Sequence, residues 1–439
     1  MTFLSARRGI SAGIVAAASV AAFVAPSAAS AALPGHCKGS STEGAGSSLQ
    51  AEAQAVWDPG FSASKTVGCV GGPTVKYHSI GSGAGYKEWF EKHNFGTVGF
   101  VGTDNTVNLA EKEGVEKEVI EGQSSKLLTL PVLQGAVTIV VNLPEHCTAT
   151  SKAASGRLSL DQALLEAAYK GTVTWKEVAE DAGTGNSITG AECNLETPVT
   201  PIVRKDSSGT THIFKKFLAL SDGGSLASED GKEHTWNELG EGSLSKTWPT
   251  AAKVVHASEE TGPGLLKEVA AKPGSIGYAN LADARNVANG GFTGQSASRF
   301  WVVLESEQKG SGSKIKRKYK DPSKDGDTTS ASEANCKDTE FSNGGGTFPP
   351  PTVEEPWNEV TAKQFSKTYP LCGLTYDLAL TNYEAYTGGT AAEAQTVIDF
   401  ENYVLSSKGG SKTIKGHDYA PLPKGLAPEA IKGVEKITG

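Results

Sequence analysis

The stretch "PVLQGAVTIVVNLP", residues 131–144, decides the fold class. It is apolar on both faces, as is typical of a central parallel strand that is covered by helices. Strand and helix patterns alternate before it. "TVKYHSI" (74–80) predicts a strand, "YKEWFEKH" (86–93) predicts a helix, and "VGFVGTDN" (98–105) predicts a second short buried strand. Strands separated by helices indicate an α/β architecture.

The same alternation continues towards the C-terminus. "SLDQALLEAAYKGTVTW" (159–175) predicts a helix that starts with a capping box from Ser159 to Gln162 and stops at Gly171. "FWVVLES" (300–306) predicts a buried strand and "AEAQTVIDFENYVLS" (392–406) an amphipathic helix. A chain of 439 residues is longer than one core usually holds, so we expect two lobes.

The N-terminus has the pattern of a secretory signal peptide over residues 1–31. Arg7 and Arg8 supply the positive region, an alanine-rich apolar stretch follows, and Ala29-Ser30-Ala31 fits the cleavage site. We therefore expect an exported protein, periplasmic or at the cell surface. His36 before Cys37 does not suit a lipidation site, so a free exported form is favoured over a lipid-anchored one.

Six cysteines lie in the exported part, and an even number in an oxidising compartment predicts disulfides. Among the fifteen possible pairings we expect the sequential one. No CxxC motif occurs and the histidines are scattered, so we expect no metal site and no cofactor. The predicted bridges are Cys37–Cys69, Cys147–Cys193 and Cys336–Cys372.

Residues 306–356 differ from the rest because they are rich in Gly, Ser, Pro and charge. We expect an exposed insertion there, with a solvated basic run at 314–320. The chain as a whole carries a net charge of −8, which argues against a nucleic-acid partner.

Three turns in front of predicted helices carry glycines and hydroxyls: "EGAGSSLQAEAQAVW" (43–57), "SIGSGAGYKEW" (79–89) and "VRKDSSGTTHIFKKF" (203–217). Helix starts expose unpaired N–H groups and a positive dipole end, so such turns suit an anion. Arg204 adds a planar cation. Each turn alone is also compatible with an ordinary helix cap.

Asp104 follows the strand "VGFVGT" and is the one acceptor in this set of donors. An ionised carboxylate can accept the proton of hydrogen phosphate but repels sulfate, which carries none at neutral pH. Two unit charges ~4 Å apart at an effective dielectric of ~20 repel by about 4 kcal/mol, or about a thousandfold in affinity.

The motifs resemble, in order, those of the phosphate-binding protein of the bacterial phosphate ABC importer. The resemblance covers roughly residues 43–305 and 357–425. The departures are Ser48 in place of a usual Thr, Leu49 in place of a usual Phe, and the 306–356 insertion. The motifs are "GAGSS", "YHSIGSGAG", "GFVGTDN", "PVLQGAVTIVVNLP", "GTVTW", "IVRKDSSGTTHIFKKFL", "PGSIGY", "YPLCGLTY" and "DYAPLP".

The resemblance implies a two-lobed type II periplasmic-binding-protein fold with the ligand cleft between the lobes. It implies a first lobe of residues 32–132 and 357–439 and a second of 133–305. It also implies that Asp206 holds Arg204, and that no catalytic residue is needed. The implied phosphate ligands are Ser48, Leu49, Ser82, Asp104, Arg204, Ser208, Gly209 and Thr210.

The function implied is extracytoplasmic capture of inorganic phosphate, by a monomer that delivers it to the membrane permease of an ABC transporter. Three alternatives remain open from the residues alone. They are a binding protein for another oxyanion such as sulfate or molybdate, an exported phosphomonoesterase, and a secreted surface protein that acts through residues 307–356. Ser208 lacks a nucleophile-elbow motif, which argues against the esterase.

Overall fold

The structure is a computed structural model, and most of the chain after the N-terminal 31 residues is described. The predicted signal peptide and much of the predicted insertion lie outside the described residues. Within the described part, no helix is both long and apolar enough to cross a membrane. The described residues are 32–107, 109–222, 225–227, 233–235, 246–248, 254–309, 316–324, 326, 328, 330–336, 341–342, 348–351, 357, 360–362, 367–423 and 425–439.

Helices and strands alternate through the chain, as the sequence patterns predict. The helices are α1 Ala51–Ala63, α2 Ser82–Phe90, α3 Leu109–Lys117, α4 Gln162–Lys170, α5 Trp175–Glu180, α6 Gly209–Asp222, α7 Thr261–Ala271, α8 Leu281–Arg285, α9 Ala391–Leu405, α10 Gly410–Thr413 and α11 Leu426–Val434. The strands are β1 Thr42–Gly46, β2 Val75–Ser79, β3 Val98–Thr103, β4 Leu127–Asn142, β5 Thr148–Ser151, β6 Ser159–Leu160, β7 Asn186–Thr189, β8 Thr200–Val203, β9 Ser225–Ala227, β10 Glu233–Thr235, β11 Val255–His256, β12 Ser275–Asn280, β13 Thr293–Ser296, β14 Arg299–Trp301, β15 Val303–Lys309, β16 Lys316–Lys320, β17 Phe341–Ser342, β18 Thr361–Ala362, β19 Cys372–Leu380 and β20 Tyr419–Ala420.

Strand β4 joins the two halves of one large sheet, whose main strand order is β11-β8-β12-β4-β19-β3-β1-β2. The first half of β4 pairs with β19, for example Leu130 with Asp377. Its second half pairs with β12, for example Ile139 with Tyr278. All 16 residues of β4 are buried, so one apolar strand lies in the core of both lobes. The mixed α/β fold expected from the sequence is confirmed.

Two local predictions were wrong. Strand β4 was expected to be parallel, but it is antiparallel to β12, β14, β19 and β20. Its apolar pattern reports burial on both faces and carries no information on direction. The helix expected to be capped by Ser159 starts later, because Ser159 lies in β6 and Asp161 caps α4 by accepting from the Leu164 N–H at 2.9 Å. The predicted stop at Gly171 is confirmed, with φ at +67°.

An aromatic cluster holds α6 against the second lobe. The ring of Phe214 lies 4.6 Å from that of Tyr169 and 5.0 Å from that of Tyr278, centroid to centroid. Trp248 packs on Tyr278 at 6.0 Å. All four side chains are nearly or fully buried, so the N-terminus of α6 is carried by a rigid support.

The three predicted disulfides, Cys37–Cys69, Cys147–Cys193 and Cys336–Cys372, are confirmed. The last one ties the predicted insertion to β19. Part of the described insertion is exposed, as expected, including Lys316 and Lys318, but another part is packed into the fold. Strand β16 pairs with β15, and Ala334 and Cys336 are fully buried. The sequence misled because a short, polar, Gly/Ser-rich segment can still be fixed by one bridge and a hairpin.

Several buried carboxyl groups make stability depend on pH. Burial raises the pKa of Asp58, Asp377 and Glu393 to about 7 each. The folded protein therefore retains protons that the unfolded chain releases near pH 4. The stability that these groups contribute is complete below the unfolded pKa and is lost as the pH rises through about 7.

We therefore expect the free energy of unfolding to be larger at pH 5 than at pH 8. Each such group contributes a slope of about 1.4 kcal/mol per pH unit in the window between its two pKa values. Glu393→Gln should flatten the dependence of stability on pH, because the carboxyl that titrates is removed. The amide oxygen can still accept from Thr42 Oγ1, so the hydrogen bond is kept. Urea titrations at several pH values measure this. A wild-type protein that gains stability from pH 5 to pH 8 would contradict it.

Candidate functional site

The first element of the site is the turn between β1 and α1. Gly46 has φ at +139° and lies against Gly102, where no Cβ would fit. The Ser47 hydroxyl accepts the Leu49 N–H at 3.0 Å. Ser48 Oγ lies 3.4 Å from Arg204 Nη1. The Leu49 side chain is fully buried beside Gly135, so it is a core residue, and its N–H bonds to Ser47 in this structure.

The second and third elements are the start of α2 and the end of β3. Gly81, with φ at +91°, leads into α2, so that Ser82 is its first residue. The Ser82 hydroxyl accepts the N–H of Asp104 at 3.3 Å. These two predicted residues therefore lie side by side, although 22 positions separate them in the chain.

The carboxylate of Asp104 accepts from three hydroxyls that come from different parts of the chain. Ser47 and Thr375 donate to Oδ1, with Thr375 at 3.0 Å, and Thr210 donates to Oδ2 at 3.1 Å. Burial raises the pKa of Asp104 above its ordinary value, while these hydrogen bonds and the charge of Arg204 oppose the rise. The site thus holds one buried carboxylate among hydroxyl groups.

Arg204 supplies the cation, and Asp206 fixes it. The guanidinium donates through Nε to Asp206 Oδ1 at 2.6 Å and through Nη2 to Oδ2. Only Nη1 reaches across to Ser48. The Arg204 side chain is 2% exposed and that of Asp206 10%, so the pair sits away from water. Two of the guanidinium nitrogens are committed to Asp206, and the third faces the first lobe.

The N-terminus of α6 completes the set from the second lobe. Gly209 lies so close to the first lobe that an added Cβ would be 2.7 Å from Asp104 Cβ and 2.8 Å from Ser82 Oγ. The Ser208 hydroxyl accepts the N–H of Thr211 at 3.2 Å and caps the helix. The positive end of the helix dipole therefore lies next to Asp104, at Gly209.

The lobes are in contact around this site. The Gly83 N–H donates to the Ser207 carbonyl at 3.1 Å, and Lys246 Nζ lies 3.2 Å from Glu111. An anion can enter only if the lobes separate, because the predicted side chains are all buried. Ser48, Leu49, Ser82, Asp104, Arg204, Ser208 and Thr210 are each at most 4% exposed.

All predicted site residues come together, but the sequence missed four neighbours. Ser47 and Thr375 bind Asp104, and Gly262 donates its N–H to Ser48 Oγ at 3.4 Å. Asp283 lies behind Gly262. Ser47 stood in a noted motif, "GAGSS", and Thr375 in another, "YPLCGLTY". Gly262 and Asp283 lie in no pattern that marks them.

The fold and the site are those of a known class of protein. The chain belongs to the PBP superfamily, because the model of the PBP superfamily domain matches residues 25–341. The resemblance drawn from the motifs is thereby confirmed.

One curated relative is similar to part of this chain. The chain is 27% identical over 182 residues to the phosphate-binding protein PstS 3 of Mycobacterium leprae (strain TN), an alignment that covers 41% of this chain and 43% of that protein. It therefore spans less than half the length of that relative.

Two solved structures share the fold. One is a phosphate-binding protein from Stenotrophomonas maltophilia, with a TM-score of 0.58 and 18% identity over 90% of this chain and 93% of that one. The other is a high affinity periplasmic phosphate-binding protein, PfluDING, solved with phosphate bound. Its TM-score is 0.53, at 18% identity over 88% of this chain and 92% of that one.

Proposed function

We propose that this protein captures inorganic phosphate between its lobes. The observation that carries the proposal is the meeting of Ser82, Asp104, Arg204 and the start of α6 in one buried place. Donors from hydroxyls, amides and a guanidinium match the oxygens of a tetrahedral anion. The one carboxylate matches a ligand that still carries a proton.

The proposed ligand set is the one that the sequence predicts. Ser48 and Arg204 bind from opposite lobes, and Ser208, Gly209 and Thr210 bind through the first turn of α6. Asp104 accepts the proton of the ligand, and Leu49 contributes its N–H. On binding, the hydroxyls that now donate to Asp104 turn towards the anion, and the N–H of Leu49 leaves Ser47.

The biological role proposed is delivery of phosphate to the permease of an ABC transporter after export, by a monomeric binding protein. The relatives' names support the phosphate ligand of this role, since PstS 3 and the S. maltophilia protein are both described as phosphate-binding. We place the first lobe at residues 32–132 and 357–439 and the second at 133–305. One crossover between these lobes then lies in β4, between residues 132 and 133, and closure about it traps the ligand.

The protein is proposed to bind and not to hydrolyse. A phosphomonoesterase would need an activated nucleophile or a metal. The hydroxyl of Ser208 serves as a helix cap, and that of Thr210 donates to the carboxylate of Asp104. Among the described residues, the Ser208 hydroxyl has no general base bonded to it, and the carboxylate bonded to Thr210 is the one that we assign to accepting the proton of the ligand.

Calorimetry of the purified exported chain tests the function. We expect one phosphate per molecule with submicromolar affinity, and no release of phosphate from an aryl phosphate monoester. Absence of phosphate binding would refute the proposal. Turnover of the ester would favour the enzymatic alternative.

Gly209→Ala is expected to weaken phosphate binding at least tenfold, because its Cβ would meet the Cβ and backbone N of Asp104 when the lobes close. Alanine is at least as good as glycine in a helix, so the change should not weaken α6 itself. Ser207→Ala is the matched control, since the carbonyl of that residue makes the contact to Gly83. Unchanged affinity in Gly209→Ala would mean that closure does not use this contact.

A further inference from the structure

A second carboxyl group, that of Asp283, lies next to the site, beside Gly262. Asp283 is in the first turn of α8 and is 1% exposed. Asn280 fixes it twice: its Nδ2 donates to Asp283 Oδ2 at 2.6 Å, and its Oδ1 accepts the Asp283 N–H at 2.8 Å. Because Asn280 ends strand β12, the carboxyl position is set by the sheet.

Gly262 connects this carboxyl to the ligand cradle. Its N–H, in the first turn of α7, donates to Ser48 Oγ. A Cβ added to Gly262 would lie 2.5 Å from Asp283 Oδ2 and 3.9 Å from Ser48 Oγ. One glycine therefore separates the Asp283 carboxyl from a hydroxyl that also accepts from Arg204.

The charged groups around Asp283 come from several elements. Glu52 in α1 and Asp104 after β3 disfavour its ionisation, whereas Arg204 after β8 and the hydrogen bond from Asn280 favour it. Tyr419 in β20 also faces it. Burial is the largest effect, and together these raise the pKa of Asp283 to about 8.

We infer that Asp283 is a positioning residue of the anion site that works as a neutral acid. Its uncharged form leaves the helix starts and Arg204 free to hold a doubly charged ligand. Its ionised form places a second negative charge behind Ser48 and expels the ligand. The inference rests on the proposed function, since it concerns the same phosphate site.

The consequence is a pH limit on phosphate capture. Above the pKa of Asp283, each bound phosphate requires that the carboxyl take up a proton. The affinity then falls tenfold per pH unit. Below it, Asp283 is already neutral and no longer affects the affinity. The site should therefore work well at neutral and acidic pH and lose phosphate under alkaline conditions.

The test compares wild type with Asp283→Asn over pH 6.5–9.5, using inorganic phosphate and calorimetry. Asparagine has the shape of the neutral acid and its oxygen can still accept from Asn280. Both proteins bind the same phosphate species at a given pH, so the ratio of their affinities does not depend on the ionisation of phosphate itself. We expect a ratio near one at pH 7, and about tenfold weaker binding by the wild type at pH 9. Glu393→Gln is the control, because it removes another buried carboxyl with a raised pKa that bonds to Thr42.

A ratio that is the same at every pH would overturn the inference, including the case in which Asp283→Asn weakens binding uniformly through a structural role. Failure of both proteins to bind at any pH would instead refute the proposed function. If Asp283→Asn does not fold, the inference is tested by the number of protons that the wild type takes up when it binds phosphate. At pH 8.5 in buffers of different ionisation heat, we expect about three-quarters of a proton bound per phosphate. No uptake would overturn the inference.

Discussion

Replacing Asp104 with asparagine is expected to remove most of the protein's preference for phosphate over sulfate. In the wild type, sulfate offers no proton to the buried carboxylate, and the repulsion of about 4 kcal/mol corresponds to about a thousandfold in affinity. The neutral amide of the Asp104→Asn variant would be free of this repulsion and can donate to a sulfate oxygen. Sulfate affinity should rise by two to three orders of magnitude, roughly, while phosphate affinity falls less.

Competition calorimetry with phosphate, arsenate and sulfate measures this preference. Asp58→Asn is the matched control, because Asp58 is a half-buried carboxyl of the first lobe that accepts from the Tyr77 N–H. It should leave the preference intact. An Asp104→Asn protein that still rejects sulfate would show that selectivity comes from another group.

Lowering the pH should also reduce the preference of the wild type for phosphate over sulfate. Burial raises the pKa of Asp104, so this carboxyl takes up a proton at a higher pH than an exposed aspartate. The preference for phosphate should therefore decline as the pH falls towards that pKa. This is the opposite direction from the alkaline loss expected from Asp283, so the two carboxyls can be separated by a pH series.

Arg204→Ala is expected to lower the affinity for every oxyanion at least a hundredfold. Hydrogen bonds to charged groups each contribute about 1.5–3 kcal/mol, and the planar fork of Arg204 is replaced by a methyl group. The variant should also be less stable, since Asp206 would be left as a buried charge without its partner. Breaking a buried pair in this way costs about 3–5 kcal/mol.

The double variant Arg204→Ala, Asp206→Asn separates the two effects. It should recover stability, because no unpaired charge remains, but it should not recover phosphate binding. Lys205→Ala controls for nearby positive charge, as the Lys205 side chain bonds to the carbonyl of Ser258 outside the site. Phosphate affinity that survives in Arg204→Ala would contradict the role of this cation. Urea titration and calorimetry give the two readouts.

The sequence predicted the elements of the site well because each is a local signal. Glycines and hydroxyls mark helix starts, so Ser48, Ser82 and Ser208 could be named from turns alone. That they meet follows from the order of strands and helices, which the resemblance to a known family supplied. The pairing of Arg204 with Asp206 was also foreseen, because the resemblance to the known family implied it.

What the sequence could not supply depends on contacts between distant strands and helices. Thr375 reaches Asp104 because β19 lies between β3 and β4, and the motif "YPLCGLTY" that contains it does not by itself indicate that contact. Asp283 reads as an ordinary residue near a helix start. The direction of β4 was misjudged for a related reason, because burial on both faces is the same for either direction of pairing.

The most direct measurement is a crystal structure of the exported chain grown with phosphate. We predict one tetrahedral anion enclosed by both lobes, within hydrogen-bond distance of Ser48, Ser82, Arg204 and the N–H groups at 208–210. We also predict one oxygen of the anion in contact with Asp104 Oδ2. A saturated protein with phosphate bound elsewhere, or with an anion that does not approach Asp104, would contradict this prediction.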